Sequence, residues 1–235
     1  MTGAAASTGL STYREGSLHA ALKALYAGPG DRVEEGVDGY VVDVVREGEL
    51  VEIQTGSFAS AAGKLRRLTL DRRVTLVYPI AAERWLVRVD ADGVITDRRR
   101  SPKRGLALDV FDELVAFPEL VASGNFRLEI VLVREEEVRG PVPAGARYRY
   151  PRQWWRLDRR LLDVIGTVRI DAPADLLGLL PLGLPDSFTS ADLALAARRP
   201  KRLAMRAAYC LAKSGATRCT GRRGRLQTYE VASGS

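Results

Sequence analysis

Residues 39–54 read Gly-Tyr-Val-Val-Asp-Val-Val-Arg-Glu-Gly-Glu-Leu-Val-Glu-Ile-Gln. These are two short apolar runs joined at Glu47-Gly48, each interrupted by one carboxylate. Folding the segment about that turn pairs Arg46 with Glu49, Val45 with Leu50, Val44 with Val51 and Asp43 with Glu52. The two acids then face each other with Cβ atoms roughly 4.5–5.5 Å apart. Like charges so placed destabilise a sheet unless a cation or a shared proton offsets them. Gln54 falls on the same face, because strand side chains alternate with period two. A register differing by an odd number of residues would bring Asp38 in as a competing ligand.

The rest of the chain narrows the class of molecule. Its 235 residues, 46% hydrophobic and 28% charged, suffice for a packed core without disulfides. Cys210 and Cys219 have no metal-ligand spacing, and a single histidine, His19, excludes a Cys/His zinc site. Reduced, structural thiols and the absence of a signal-peptide pattern or a membrane-length apolar run point to a cytoplasmic protein with no membrane partner. Residues 1–140 hold 19 Lys and Arg against 22 Asp and Glu, a net −3. Residues 141–235 hold 17 against 7, a net +10. So basic a C-terminal third suggests a polyanionic partner.

Along the chain, residues 1–14 read as a disordered tail. A first helix is expected over about 17–27, capped by Ser17 and carrying Leu18, Leu22 and Leu25 on one face. After the acidic hairpin, Ser57 caps a helix whose stripe is Phe58, Ala61, Ala62, Leu65 and Leu68. Strands are expected over 73–80, 84–90 and 94–96, then a basic loop over 98–105, a helix over about 107–122 and a strand over 126–134. Residues 136–153 read as a linker. Beyond it, 155–164 suggests a helix, 168–170 a short strand and 174–180 another helix. A cap at Thr189 or Ser190, helices over 191–197 and 201–214, and a hairpin about a 221–224 turn complete the chain. The fold class is α/β (α+β): a mixed central sheet flanked by helices over 15–135, followed by a small domain over 154–235.

Asp43 with Glu52-Ile-Gln54, in the order helix, hairpin, helix, strand, resembles the PD-(D/E)xK nuclease superfamily over roughly residues 13–135. That resemblance implies a restriction-endonuclease-like fold in which Asp43 and Glu52 hold Mg²⁺ or Mn²⁺. Carboxylate oxygens suit a hard cation, and the ion acidifies a bound water and neutralises charge on the scissile phosphate. The family's lysine is replaced by Gln54, which has no positive charge. Lys64, on the following helix, is the candidate for its role, as in members whose lysine has moved there. Glu15 matches the acid that the family often carries on its first helix. His19, four residues further on, reads as a structural or surface residue.

Lys103 and Arg104 close the basic 98–104 run, which fits either phosphate contact or a solvated loop. Tyr148, Tyr150, Trp154 and Trp155 interleave with Arg147, Arg149, Arg152 and Arg156, an arrangement that serves equally for stacking on bases or for packing. The helix–turn–helix–hairpin from Ser187 onward resembles a winged helix-turn-helix. That implies that Lys201, Arg202 and Arg206 of the second helix, with Arg222, Arg223 and Arg225 of the wing, contact DNA. Leu203, Ala207, Cys210 and Leu211 form its buried stripe. The resemblances together imply a metal-dependent DNA nuclease acting on double-stranded DNA, with a homodimer as one arrangement. The alternative is a non-catalytic DNA-binding transcriptional regulator.

Overall fold

A computed structural model describes residues 16–142 and 154–232. Its centre is a seven-stranded mixed sheet. The first helix, α1 (Ser17–Tyr26), precedes three strands, β1 (Arg32–Val37), β2 (Tyr40–Arg46) and β3 (Glu49–Ile53). A 3-10 turn (Phe58–Ser60) and helix α2 (Ala62–Leu68) lead into β4 (Arg73–Val89). Then follow β5 (Ile95–Arg100), helix α3 (Phe111–Leu114), β6 (Phe126–Gly140) and β7 (Trp155–Ile170). The spatial order is β1-β2-β3-β4-β6-β7, with β5 also paired to β4. β4 runs parallel to both β3 and β6; all other neighbours are antiparallel.

The hairpin of β2 and β3 pairs Arg46 with Glu49, Val45 with Leu50 and Val44 with Val51, as expected. Val44, Val51 and Ile53 face α1, whose Leu18 and Leu22 bury against them. Leu50, Leu76 and Ile80 face the opposite side, with Leu65 and Leu68 of α2 and the Phe58, Phe117 and Phe126 rings. A sheet with two apolar faces needs a cover on each. Here α1 covers one and the remaining helices the other.

Several expectations give way. Ser17 is the first helical residue rather than the cap; its hydroxyl donates to Asp158 at 2.5 Å. Leu25, expected on the buried face, is exposed. β1 appears where no strand was expected. The segments 73–80 and 84–90 are one strand, and Arg98, Arg99 and Arg100 lie on β5 opposite Val87, Leu86 and Trp85. Pro118 divides the expected 107–122 helix into 3-10 turns (Ala107–Val110 and Pro118–Ala122) around α3.

Residues 155–164 are strand, not helix. The Glu135-Glu-Glu run, at the expected boundary between domain and linker, continues β6 and pairs with Leu161, Arg160 and Arg159. The carboxylate of Glu135, fully buried, lies between Arg84 and Arg159, at 2.7 Å from each. Cross-strand ion pairing of this kind decides for strand in a mixed Leu/Arg/Asp segment. The sheet therefore extends to Ile170, beyond the boundary expected at 135.

Two strands flank the same edge of β4 with a gap between them. β3 reaches Val77, and β5 begins at Trp85. In the gap the 101–105 segment lies against β4, its Ser101 N–H donating to Arg84 O (2.8 Å) and its Gly105 N–H to Ala81 O (2.9 Å). A Cβ on Gly105 would stand 2.6 Å from Ile80 Cγ2 and 2.7 Å from Ala81 O, so only glycine permits this approach. Pro79 also lies in the gap, and its missing N–H faces the same side as the Val77 and Ala81 carbonyls, which accept from Gln54 and Gly105.

After a 3-10 turn (Pro173–Leu179), the C-terminal unit runs β8 (Ser187–Thr189), α4 (Ser190–Ala197), α5 (Lys201–Ser214), β9 (Thr217–Arg223) and β10 (Leu226–Val231). The Thr189 hydroxyl accepts from the Ala191 and Asp192 N–H groups while Asp192 accepts the Thr189 N–H, a capping box. β10 pairs with both β8 and β9. Leu203, Ala207, Cys210 and Leu211 are buried and join the cluster that contains Phe117 and Leu114. Burial pushes the Cys210 thiol up to about 12, so it is an inert core group. Among the described residues no helix is long and apolar enough to cross a membrane.

Candidate active site

The hairpin ladder stops at Val44 and Val51. One step further, the Asp43 carboxylate takes the place of a main-chain partner: its Oδ2 accepts the Ile53 N–H at 2.7 Å. Glu52, on the adjacent residue, is buried and points to the α2 side. Lys64 of α2 sets its Nζ 2.5 Å from Glu52 Oε2 and donates to Val41 O at 2.5 Å. On the α1 side, His19 Nε2 lies 3.3 Å from Asp43 Oδ2. Two carboxylates, one ammonium and one imidazole thus meet where β2 and β3 part.

The electrostatics of the two acids differ. Burial pushes the Asp43 carboxyl up, but the His19 contact, the Ile53 N–H and the nearby Lys64 hold it below the usual carboxylate range. Burial, and then the charge of Asp43, push Glu52 above that range, with Lys64 opposing both. Paired acids whose environments separate their affinities for protons are a recurrent mark of functional sites.

Among the expected site residues, Asp43, Glu52 and Lys64 come together. Gln54 does not join them: its amide Nε2 donates to Ser57 O (2.7 Å) and Ser60 Oγ (3.0 Å), bracing the turn after β3. Asp38 stands in the β1–β2 turn beside Arg67 and Arg72. His19 is the residue that sequence reasoning set aside, and its place on α1 beside the buried Leu18 is what aims it. Glu15, Arg147, Tyr148, Arg149, Tyr150 and Arg152 lie outside the described residues, and of the aromatic–arginine stretch Trp154 stacks with Arg139, whose guanidinium carbon is 3.3 Å from the ring centre.

The expected nucleic-acid contacts divide. Lys201, Arg202, Arg222 and Arg225 are solvent-exposed, as is Lys103. Arg206 instead turns inward, donating to the carbonyl and carboxylate of Asp112, both at 2.8 Å. Arg223 is held by Asp192 (2.9 Å) and Ser187 O (3.1 Å), and Arg104 by Glu83 (3.2 Å). The outward face of α5 carries Arg202, Met205, Tyr209 and Lys213.

A family model described as a domain of unknown function (DUF8091) matches residues 16–171, the helix and strands that build this site and the whole of the sheet. The chain belongs to the DUF8091 family. An uncharacterized protein of Treponema pallidum (strain Nichols) is similar: 31% identical over 187 residues, covering 79% of this chain and 73% of that protein. No solved structure matches. The match ends one residue after β7, so the DUF8091 domain takes in the strand that the sequence placed in a second domain, and leaves out β8 to β10.

As an oxygen donor set, Asp43 and Glu52 suit Mg²⁺, which is commonly bound through one or two carboxylates, waters and substrate phosphates. Among the described residues no group of three or more His, Cys, Asp and Glu is placed to hold a metal by itself. In the DUF8091 domain Lys64 already neutralises Glu52, so a cation there would compete with the ammonium.

Proposed function

We propose that the protein is a metal-dependent DNA nuclease with a restriction-endonuclease-like N-terminal domain and a C-terminal winged helix. The observation that carries this reading is the convergence of Asp43 and Glu52 at the parting of β2 and β3, with Lys64 reaching the same point from α2. The order of α1, the β1–β3 strands, α2 and a parallel β4 supports it. A Mg²⁺ or Mn²⁺ ion held by Asp43 and Glu52 would supply charge neutralisation and a more acidic water. The Ile53 N–H and His19 fix the Asp43 carboxylate in position. Lys64 presents a cation to a phosphate oxygen, which is worth most where charge develops in the transition state. Lys201, Arg202, Arg222 and Arg225 would hold the duplex backbone.

Incubation of the purified chain with supercoiled plasmid and Mg²⁺ or Mn²⁺ tests the reading. Cleavage is expected to vanish with chelator and in Asp43→Asn and Glu52→Gln. Cleavage that persists undiminished in both variants would overturn it.

The Lys64–Glu52 ion pair, together with the diversion of Gln54, favours one second reading: a DNA-binding regulator whose N-terminal domain does no chemistry. Duplex binding that requires Arg202 and Arg225, with no cleavage under any divalent metal, would establish that reading instead.

A further inference from the structure

The gap beside β4 opens into a groove of about 910 Å³, near the upper end of the roughly 300–1,000 Å³ typical of ligand clefts. Tyr78, Pro79 and Ala81 line it along β4, the tethered 101–105 segment forms one wall, and Thr55–Ser57 closes the end nearest β3. Among the described residues six cationic side chains line it: Arg84, Lys103, Arg104, Arg156, Arg159 and Arg199.

Only two acids among the described residues do, and both are committed. Glu113 accepts the Phe58 N–H at 3.1 Å; Asp109 accepts from the Leu106 N–H at 2.9 Å and pairs with Arg199 at 3.0 Å. Arg84 and Arg159 are fixed by the buried Glu135, and Arg159 also donates to Thr55 O. Lys103 and Arg156 are exposed and have no carboxylate partner among the described residues. Uncompensated cations over an immobilised arginine layer make an anion site whose ordering cost is already met by the fold.

We infer that this groove binds a single strand of nucleic acid through its phosphates, with Lys103 and Arg156 as the direct contacts. The size suits a few nucleotides of one strand. Tyr78, held edge-on against Phe58 at 4.8 Å, offers a rigid aromatic surface for a base. Two of the groove's lining residues, Tyr78 and Ile80, lie on the same sheet face as Glu52, which registers with Leu76. Thr55 is three residues past Glu52, at most about 10 Å along the chain. A strand held in the groove therefore leads towards the carboxylates. The choice of polymer rests on the nucleic-acid reading above; binding in the groove does not require cleavage.

Fluorescence anisotropy of the full chain with a labelled single-stranded oligonucleotide of about six nucleotides, in chelator, tests this. Lys103→Glu with Arg156→Glu is expected to weaken binding at least tenfold and to reduce the slope of log K against log salt by about 1.4, or about 0.7 per lost contact. Arg32→Glu with Arg73→Glu, a matched charge change at exposed sites outside the groove, is expected to change affinity less than threefold. Equal weakening by the two pairs, or none by the first, overturns the inference. So does a matching duplex whose affinity falls more than the single strand's in the Lys103→Glu/Arg156→Glu variant. Groove-dependent binding without any plasmid cleavage would sink the nuclease reading and leave the groove standing; cleavage with groove-independent binding would do the reverse.

Discussion

Asp43 accepts the Ile53 N–H at 2.7 Å, so one carboxylate both ends the β2–β3 ladder and orients the site. Asp43→Ala leaves that donor without its partner, and a buried unsatisfied N–H costs about 1–3 kcal/mol. Asp43→Asn keeps an acceptor and is expected to lose less than half as much. Urea unfolding of the three proteins checks this; equal midpoints for Ala and wild type would refute the structural half of the role.

Stability is expected to depend on pH with opposite signs at the two acids. The folded chain holds Asp43 below its ordinary range. Its contribution is therefore complete above the unfolded pKa and is lost as pH falls through the folded one. Glu52 is held above its range, so stability falls as pH rises from the ordinary value through the raised one, and that cost persists at neutral pH. Denaturation midpoints from about pH 3 to pH 8 should show Glu52→Gln losing the alkaline-side decline and Asp43→Asn losing the acid-side one.

Lys64→Met strands the Glu52 carboxylate in a buried setting. Breaking one side of a buried pair costs about 3–5 kcal/mol. The loss should shrink in acid, where Glu52 is protonated, and most of it should return in the Lys64→Met/Glu52→Gln double variant. A double variant as unstable as Lys64→Met at pH 7 would show that the pair is not the cause.

Gly105→Ala forces a Cβ to within 2.7 Å of the Ala81 carbonyl oxygen, a main-chain atom that cannot swing aside. Overpacking of this kind costs about 1–3 kcal/mol. Thermal unfolding should show a lowered midpoint, and hydrogen exchange should show faster loss at the tethered 101–105 amides.

Arg206 and Arg202 separate support from contact. Arg206 is bonded to Asp112 and about a third exposed, so a double-mutant cycle with Asp112→Ala should give a coupling of about 1 kcal/mol after solvent screening. Arg202, 3.5 Å from the same carboxylate but 73% exposed on its side chain, should reduce duplex affinity when changed to Ala and move the melting temperature less than Arg206→Ala does. A reversed pattern would place Arg206 on the DNA.

The sequence was most legible where signals are local. Period-two apolar residues about Glu47-Gly48 specify the hairpin and its register. Thr189 with Asp192, Pro200 and Gly215 mark both ends of α4 and α5. Distant partners erase that clarity. β1, with Glu34 at φ 55° and mostly polar residues, is a strand only because β2 completes it. β7 has the Leu and Arg spacing of a helix and becomes a strand because β6 offers it carboxylates. His19 and Asp43 are 24 positions apart, and nothing short of the packing of α1 on the hairpin brings them together. Gln54, on the expected face, is claimed by Ser57 and Ser60 close by in the chain.

Pro79 has one more consequence. A break along the edge of a central strand exposes main-chain groups, and an extended segment from another molecule could zip into it and seed aggregation. The 101–105 segment already takes the Ala81 and Arg84 carbonyls, and Pro79, with no N–H to offer near the β3 end of the break, denies such an intruder the remaining register. The opening can stay solvent-accessible without becoming a template for fibre growth.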